Sequence, residues 1–348
     1  MPKDEKTNTT ATGVGFLTAV TAAAIIARYL RPARPLALPS ASSSSSVELD
    51  GPGSDADWED FRRNGKMIID FVADYFQKKL KTYPVKSQVK PGYLAKTPLG
   101  TNSKLVLSDT GDDVANVLKD VEKYIVPGVT HWQHPNFFAY FPANTSPSSL
   151  CGDILSGMFN CIAFSWIASP AATEMETIVM DELARFVGLP EGFQSSTNGG
   201  GVIQGTASEA TLVALLSARQ KVRERAPSDA SDDTVAAMMS KLVIYSSAQA
   251  HSSVKKAAMI AGMSMSQYRS IKADRSTKFA MDPEDLERQI LQDLEQDLIP
   301  AICVATVGTT GVAAVDPLST VGKVRLAVSA RRATVCTFSD SLLWLHDV

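Results

Sequence analysis

The sequence predicts an α/β fold built on a parallel or mostly parallel sheet, and three observations support this. Near-continuous apolar runs at residues 241–246 and 300–307 are typical of strands buried inside such a sheet. Segments with helical periodicity alternate with these runs along the chain. Polar, small-residue turns follow the predicted strands, at the edge where parallel sheets bind ligands. A ligand site is therefore expected at the carboxyl ends of the strands.

Composition narrows the class of protein. The chain has 348 residues, a formal net charge of −3 and 45% hydrophobic residues, which allows a sizeable core and about two domains. The near-neutral charge argues against nucleic acid as the main partner. Cys151, Cys161, Cys303 and Cys336 show no spacing typical of metal ligands. The protein is therefore expected in a reducing compartment, and no zinc site or other metal site is expected.

The first 56 residues are predicted to be a leader and a linker. Residues 11–26 are apolar and uncharged, and arginines follow at Arg28, Arg31 and Arg34. The run is shorter than the roughly 18–20 residues of a membrane span, although extending it to residue 30 makes it marginal. An organelle transit peptide, a signal anchor and a disordered leader without function remain open. The Ser-rich residues 36–54 predict a low-complexity linker, so folded protein is expected from about Asp57.

Two helices are predicted within residues 57–128. The first begins with the acidic residues Asp57, Glu59 and Asp60 and runs to about Leu80. The second covers residues 112–126 and ends before a Pro-Gly pair. A long loop separates the two helices, and they offer no compact core of their own. They are therefore expected to pack on something larger, such as a partner subunit.

Residues 129–144 form the most aromatic stretch, and Pro135 and Pro142 predict that it is a loop. Aromatic loops often line pockets for flat ligands. His131 and His134 could indicate a metal, but no third ligand is evident, so structural histidines are the preferred interpretation. The aromatic character continues at residues 164–167, and a helix is predicted over residues 171–187.

The stretch from Gly199 to Ala210 predicts a strand, a tight turn and a helix. Val202 and Ile203 favour the strand, and the small residues 205–208 let a ligand approach the backbone. The exposed N–H groups of the helix start, with the hydroxyls of Thr206 and Ser208, suit a phosphate. An ordinary helix cap without a ligand remains the alternative.

Other helix starts and turns follow downstream. A polar connection is predicted at residues 226–234, and helices at residues 254–261, from Asp282-Pro283 to about Leu298, and from Asp316-Pro317. His251 and the turn at residues 308–311 each follow a predicted strand. A single histidine after a strand is more often structural, but here three polar turns converge on one edge. A phosphate-binding turn, an imidazole and an aromatic wall suit a flat phosphorylated ring.

Six separated motifs lie along the chain: Pro127–Trp132, Phe138–Pro142, Ala163–Trp166, Ser169–Glu174, Gly205–Glu209 and Gln249–Ser253. They resemble the motifs of the group II pyridoxal-phosphate decarboxylases and occur in the same order. Ala163 departs slightly from the pattern, since many members have glycine before the phenylalanine. The resemblance covers about residues 57–324 and is strongest to the aromatic-L-amino-acid decarboxylases, including the plant tyrosine and tryptophan enzymes.

The resemblance implies a type I aminotransferase-like fold, in which helices flank a mostly parallel seven-stranded sheet, here incomplete at the C-terminus. Residues 57–128 form a helical segment that wraps the second subunit of a homodimer, residues 129–324 form part of the large cofactor-binding domain, and residues 325–348 form a divergent tail. A cytoplasmic location is implied; organelle targeting or membrane anchoring through residues 11–30 is the alternative.

The resemblance also implies a cofactor, pyridoxal 5'-phosphate, and a site. Ala207 and Ser208 hold the phosphate, His251 stacks on the pyridine ring as the catalytic residue, and Thr310 contacts the cofactor. The substrate residues that it implies are Trp132, Tyr140, Phe141, Pro142, Ala143, Ile162 and Phe164. The implied reaction is loss of carbon dioxide from an aromatic L-amino acid that is joined to the cofactor as a Schiff base. The protonated ring serves as electron sink, and the protein holds the Cα–carboxylate bond perpendicular to the ring.

Three family features lack a clear counterpart. Asp347 is a weak match to the aspartate that pairs with the ring nitrogen, since it directly follows His346. The Schiff-base lysine of the family's His-Lys motif has no match, and Lys255 and Lys256 are poor substitutes; the loop with a catalytic tyrosine is also missing. The chain as given is therefore expected to be truncated and inactive or nearly so. A non-catalytic short product that forms mixed dimers and an aromatic aldehyde synthase are the alternatives.

Overall fold

The computed structural model describes residues 55–101, 104–105, 112–141 and 145–331. The chain divides into two compact units, Met1–Pro147 and Ser148–Val348. The predicted leader up to residue 54 and the end of the predicted tail, from residue 332 onward, lie outside the described residues. No helix among the described residues is long and apolar enough to cross a membrane.

The first unit contains the two predicted helices. Helix α1 is Asp55–Asp74, and α2 is Val114–Asp120. Each continues into a π-helical turn and then a 3-10 turn, at Tyr75–Lys79 and Leu80–Thr82 after α1, and at Val121–Ile125 and Val126–Gly128 after α2. A further 3-10 turn, Leu94–Lys96, precedes the antiparallel pair of short strands β1, Gly100–Thr101, and β2, Lys104–Leu105.

Few side chains are buried among the described residues of the first unit. Leu80 and Val126 are buried, whereas no residue of α1 is. The apolar residues Trp58, Phe61 and Ile69 of α1 are exposed. The two helical segments thus have little core of their own, as predicted.

The second unit alternates helices and strands. Its helices are α3, Pro147–Phe159; α4, Pro170–Phe186; α5, Ala207–Arg223; α6, Asp232–Ser240; α7, Ser252–Ile260; α8, Pro283–Glu295; and α9, Leu318–Arg331. Its strands are β3, Leu242–Ser247; β4, Tyr268–Ile271; and β5, Ile299–Val304. Short 3-10 turns lie at Glu191–Phe193, Met265–Gln267 and Arg275–Thr277.

The three strands of this unit form a parallel sheet in the order β4-β3-β5. All six residues of β3 are buried, which explains its continuous apolar run. The parallel α/β class is confirmed, and the parallel sheet has three strands in the part of the chain that the structure describes. Strand β4 was not predicted, because Arg269 and Ser270 interrupt its apolar pattern.

Two cores cover the two faces of the sheet. Leu242 and Ile244 of β3 face a core that contains residues of α5 and α7. The alternate residues Val243 and Tyr245 face a second core, built with residues of α8 and α9. Successive strand residues point to opposite faces, so each core receives every second residue of β3. This arrangement leaves the carboxyl edge of the strands to the loops that follow them.

The strand predicted at Val202 and Ile203 is wrong. Both side chains are more than half exposed, at 56% and 61%, and no strand is assigned to them. The backbone N–H of Ile203 donates to the carboxylate of Glu176, at 2.8 Å, rather than to a neighbouring strand. The predicted polar connection at residues 226–234 is partly wrong, because α6 begins at Asp232.

Candidate functional site

The loops that follow the parallel strands meet at one edge of the second unit. A β-carbon built on Gly311 would lie 4.0 Å from Oε1 of Gln249, so the loop after β5 lies beside the loop after β3. Thr211, one turn into α5, lines a small cavity with Val304 and Ala305 at the end of β5. The structure thus brings the start of α5, the His251 loop and the Thr309–Thr310 turn to the same edge.

The turn before α5 is a helix cap with two donors left over. Thr206 has extended backbone angles, and its Oγ1 accepts the N–H of Glu209 at 3.1 Å. The first helical bond runs from the N–H of Ala210 to the carbonyl of Thr206. Within the described part of the chain, the N–H groups of Ala207 and Ser208 have no acceptor. The cap is therefore ordinary, and the two remaining donors fit a phosphate group.

His251 is fixed in orientation by the helix that it begins. It is the N-cap residue of α7, and its Nδ1 accepts the N–H of Ser253 at 3.2 Å. The same Nδ1 lies 3.0 Å from Oγ of Ser253. Because Nδ1 acts as an acceptor, the neutral imidazole carries its proton on Nε2. The half-buried ring is thus held at the carboxyl edge of β3.

The two threonines after β5 have different surroundings. Thr309 is fully buried, and its Oγ1 accepts the N–H of Ala314 at 3.0 Å. Its backbone N–H donates to the carbonyl of Ala314 at 2.9 Å. Thr310 is half-buried. Thr309 is thus occupied within the turn, which leaves Thr310 as the threonine that is accessible to a ligand.

Sequence reasoning missed a buried carboxylate beside this turn. The sequence predicts Asp316 only as the start of a helix, but its side chain accepts the N–H groups of Met281 and Thr306 at 2.7 and 2.8 Å. Burial raises the pKa of Asp316, and the two backbone hydrogen bonds oppose that shift. The Asp-Pro pair was the signal in the sequence, but both hydrogen-bond partners lie in other loops.

The aromatic loop of the first unit is stacked on itself. The ring of Trp132 stacks on Phe137 at 4.8 Å between centroids, and on Tyr140 at 5.9 Å. Tyr140 has a positive φ of 57° and is exposed, and Phe141 is half-buried. The structure therefore brings together two of the predicted substrate residues, Trp132 and Tyr140, as a flat aromatic surface.

Both histidines of this loop have structural partners, as predicted. His131 is buried, its Nδ1 lies 2.6 Å from the hydroxyl of Tyr75, and its ring stacks on Tyr83. Burial, and secondarily His134, lowers the pKa of His131, so the ring is held neutral. Nδ1 of His134 accepts the N–H of Asn136 at 3.0 Å.

The remaining predicted site residues are less constrained. Ile162 and Phe164 lie in the second unit and are largely exposed. Close by in the sequence, the indole N–H of Trp166 donates to the carboxylate of Glu174 at 2.9 Å. Pro142, Ala143 and Asp347 lie outside the described residues. Among the described residues, no group of three or more His, Cys, Asp or Glu side chains is arranged to hold a metal ion.

Comparison with known proteins gives a consistent result. The family described as "Pyridoxal-dependent decarboxylase conserved domain" matches residues 91–346. Tyrosine decarboxylase 2 from Narcissus pseudonarcissus is 47% identical over 272 residues, which are 77% of this chain and 51% of that protein. Phenylacetaldehyde synthase from Arabidopsis thaliana is 46% identical over 272 residues, 77% of this chain and 52% of that protein. The chain therefore spans about half the length of the curated relatives it matches.

Solved structures agree. The crystal structure of Oryza sativa TDC with PLP and tryptamine has a TM-score of 0.70 at 38% identity, and covers 80% of this chain and 54% of that one. The structure of Rhodiola rosea 4-hydroxyphenylacetaldehyde synthase has a TM-score of 0.69 at 37% identity, and covers 80% and 56%. These neighbours confirm the predicted type I aminotransferase-like fold.

Proposed function

Because the chain belongs to the pyridoxal-dependent decarboxylase family, we propose that its carboxyl-edge site binds pyridoxal 5'-phosphate and serves the decarboxylation of an aromatic L-amino acid. The observation that carries the proposal is the start of α5, where Thr206 caps the helix and leaves the N–H groups of Ala207 and Ser208 for an anion. A helix N-terminus favours a phosphate through both its donors and its dipole.

In this proposal, different residues at the carboxyl edge of the sheet contact different parts of the cofactor. Ala207 and Ser208 would bind the phosphate, His251 would hold the pyridine ring, and Thr310, in the turn after β5, would contact the cofactor. The cofactor, when bound, supplies the electron-withdrawing ring that stabilises the negative charge left by loss of carbon dioxide. The protein residues set the orientation of the bond that breaks.

The aromatic substrate class is supported by the loop of the first unit and by the relatives. The stacked pair Trp132 and Tyr140 offers a flat apolar surface of the kind that aromatic side chains bind. Relatives at 47% and 43% identity are named tyrosine decarboxylase and tryptophan decarboxylase. We propose an amino acid of this class, and a homodimer in which the exposed apolar side chains of α1, such as Trp58 and Phe61, are covered.

An aromatic aldehyde synthase is the second candidate. The phenylacetaldehyde synthase relative is 46% identical to this chain, and tyrosine decarboxylase 2 is 47% identical, so sequence identity does not separate the two activities. Both candidates release carbon dioxide. The synthase must also oxidise the amine-bearing carbon by two electrons, with dioxygen as the oxidant reduced to hydrogen peroxide, and release the nitrogen as ammonia, so the second product separates the two reactions. An amine as the sole organic product of tyrosine, tryptophan or DOPA supports the decarboxylase, and an aldehyde supports the synthase.

The decisive measurement is cofactor binding, because the 348 residues contain no His-Lys pair and turnover by them alone is expected to be low. Ala207→Pro removes one proposed phosphate donor at the first helical position, where proline is favoured. Thr206 has ψ of 157°, which suits the residue before a proline. We expect the affinity for pyridoxal 5'-phosphate to fall about tenfold to a hundredfold, and the affinity for pyridoxal, which lacks the phosphate, to stay unchanged.

Asp232→Pro is the matched control. It removes the N–H at the first position of α6, whose N-cap Ser231 has ψ of 158°. Helix α6 lines a groove with Arg219 and Arg223, at the other end of α5. Wild-type affinity in the control and reduced affinity in Ala207→Pro support the site. Equal affinity for the phosphorylated cofactor in both variants and the wild type would show that α5 does not bind the phosphate.

A further inference from the structure

Asp316 joins two loops that are distant in sequence. Its side chain is 1% exposed. Oδ1 accepts the N–H of Met281, which lies just before α8, at 2.7 Å. Oδ2 accepts the N–H of Thr306, which follows β5, at 2.8 Å. One carboxylate therefore holds the backbone of both loops at the carboxyl edge.

The same residue closes the base of the turn that carries Thr310. The backbone N–H of Asp316 donates to the carbonyl of Thr306 at 2.9 Å, so the two residues are bonded in both directions. Above this base, Val307 and Val315 form an antiparallel bridge, and the N–H of Gly308 donates to the carbonyl of Ala314. The segment 306–316 is thus a closed hairpin, and its tip contains Thr309 and Thr310.

A carboxylate is well suited to this place. It offers two acceptor oxygens and no donor, which matches two converging N–H groups. An asparagine would direct its NH2 group against one of them. Among the described residues, no lysine, arginine or histidine forms an ion pair with Asp316 within 4.0 Å. A buried carboxylate without a cation costs stability, so its benefit is expected in the geometry that it fixes.

We propose that Asp316 is a positioning residue of the cofactor site, whose carboxylate fixes the base of the 306–316 hairpin so that Thr310 is presented to pyridoxal 5'-phosphate. The inference rests on the proposed function. Asp316 does not touch the cofactor in this scheme and acts through Thr310 alone. Its effect on cofactor affinity must therefore disappear when the side chain of Thr310 is removed.

A double-mutant cycle tests this coupling. The affinity for pyridoxal 5'-phosphate is measured for the wild type, Asp316→Asn, Thr310→Ala and the double variant. We expect each single change to lower the affinity about tenfold, as for the loss of one charge-assisted hydrogen bond, and the double variant to bind like Thr310→Ala. Asp293→Asn, which removes another buried carboxylate, is the control for general loss of stability and is expected to retain wild-type affinity.

The outcomes separate the two proposals. If the wild type does not bind the cofactor, the proposed function fails. The second case is that the wild type binds the cofactor and Thr310→Ala weakens binding. The positioning role is then wrong if Asp316→Asn has wild-type affinity, or if its effect adds fully to that of Thr310→Ala. Should Asp316→Asn fail to fold, Asp316→Ser replaces it in the cycle, because a single hydroxyl oxygen takes the place of the two acceptors for the N–H groups of Met281 and Thr306. Full additivity there also overturns the proposal.

Discussion

The buried hydrogen-bond network around Asp293 gives the sharpest test of how the second unit is stabilised. Asp293 of α8 accepts the hydroxyl of Tyr245, from β3, at 2.7 Å. It also accepts Arg269, from β4, with Nη2 at 2.6 Å and Nε at 3.1 Å. Burial, and then the hydrogen bond to Asp293, raises the pKa of Tyr245, so the tyrosine remains a donor. Asp293→Asn removes the charge and keeps the shape.

The expected loss follows from the contacts. The side chain of Asp293 is 4% exposed and that of Arg269 is 23% exposed. Removing one partner of a buried pair costs about 3–5 kcal/mol. Water reaches part of Arg269, and the asparagine oxygen still accepts one hydrogen bond, so the expected loss is about 2–4 kcal/mol. For a unit of this size, that corresponds to a fall in Tm of roughly 5–15 °C.

Urea unfolding followed by far-UV circular dichroism measures the effect, with Asp297→Asn as the control. Asp297 pairs with Lys241 at the surface and has a positive φ of 58°, a conformation in which asparagine is favoured. We expect the control to match the wild type within the error of the measurement. If Asp293→Asn were no less stable than Asp297→Asn, the network would not stabilise the sheet and the reasoning would be wrong.

Three further tests, each with one or two substitutions, concern other elements. Thr206→Ala removes the cap of α5 and should lower the free energy of unfolding by about 1 kcal/mol in urea titrations, whereas Thr206→Ser should not; equal stability would contradict the cap. Gly199→Ala should strongly destabilise the protein, since the added β-carbon would lie against the backbone oxygen of Gly192. Gly157→Ala, in open space within α3, should instead raise the free energy of unfolding by roughly 0.5–1 kcal/mol in the same assay. His131 has a lowered pKa because it is buried, so the unfolded chain binds a proton at this histidine more readily, and the free energy of unfolding should fall as the pH drops below about 6.5. His131→Gln should make that fall smaller in thermal unfolding between pH 7 and pH 5. An unchanged pH profile in the variant would exclude His131 as the cause.

Local patterns predicted much of the second unit because they have local causes. The apolar run of β3 and the Asp282-Pro283 start of α8 each depend only on residues that are adjacent in the sequence, and both predictions are confirmed. The cap at Thr206 was likewise visible as a small polar residue before a helical period. Helix α3 was missed because Gly152 and Gly157 weaken its helical pattern.

What the sequence did not predict depends on distant partners. Asp316 bonds to Met281, 35 residues away, and such a pairing leaves no periodic signal. Val202 and Ile203 have strand-forming side chains, yet a strand exists only where a neighbour pairs with it. The short strand β4 is stabilised by its pairing with β3 rather than by its own composition. The roles of the residues at the carboxyl edge remain predictions that cofactor titrations can test.

The alternation along β3 has a practical consequence for protein engineering. Val243 and Tyr245 contribute to one core, and Leu242 and Ile244 to the other. A combinatorial library confined to one of these pairs therefore samples new packing in a single layer of helices, while the opposite layer keeps its original neighbours. Variants from two such libraries, screened separately, can be combined, and their effects on stability are expected to add. Strand β3 thus separates two parts of the interior that can be redesigned independently.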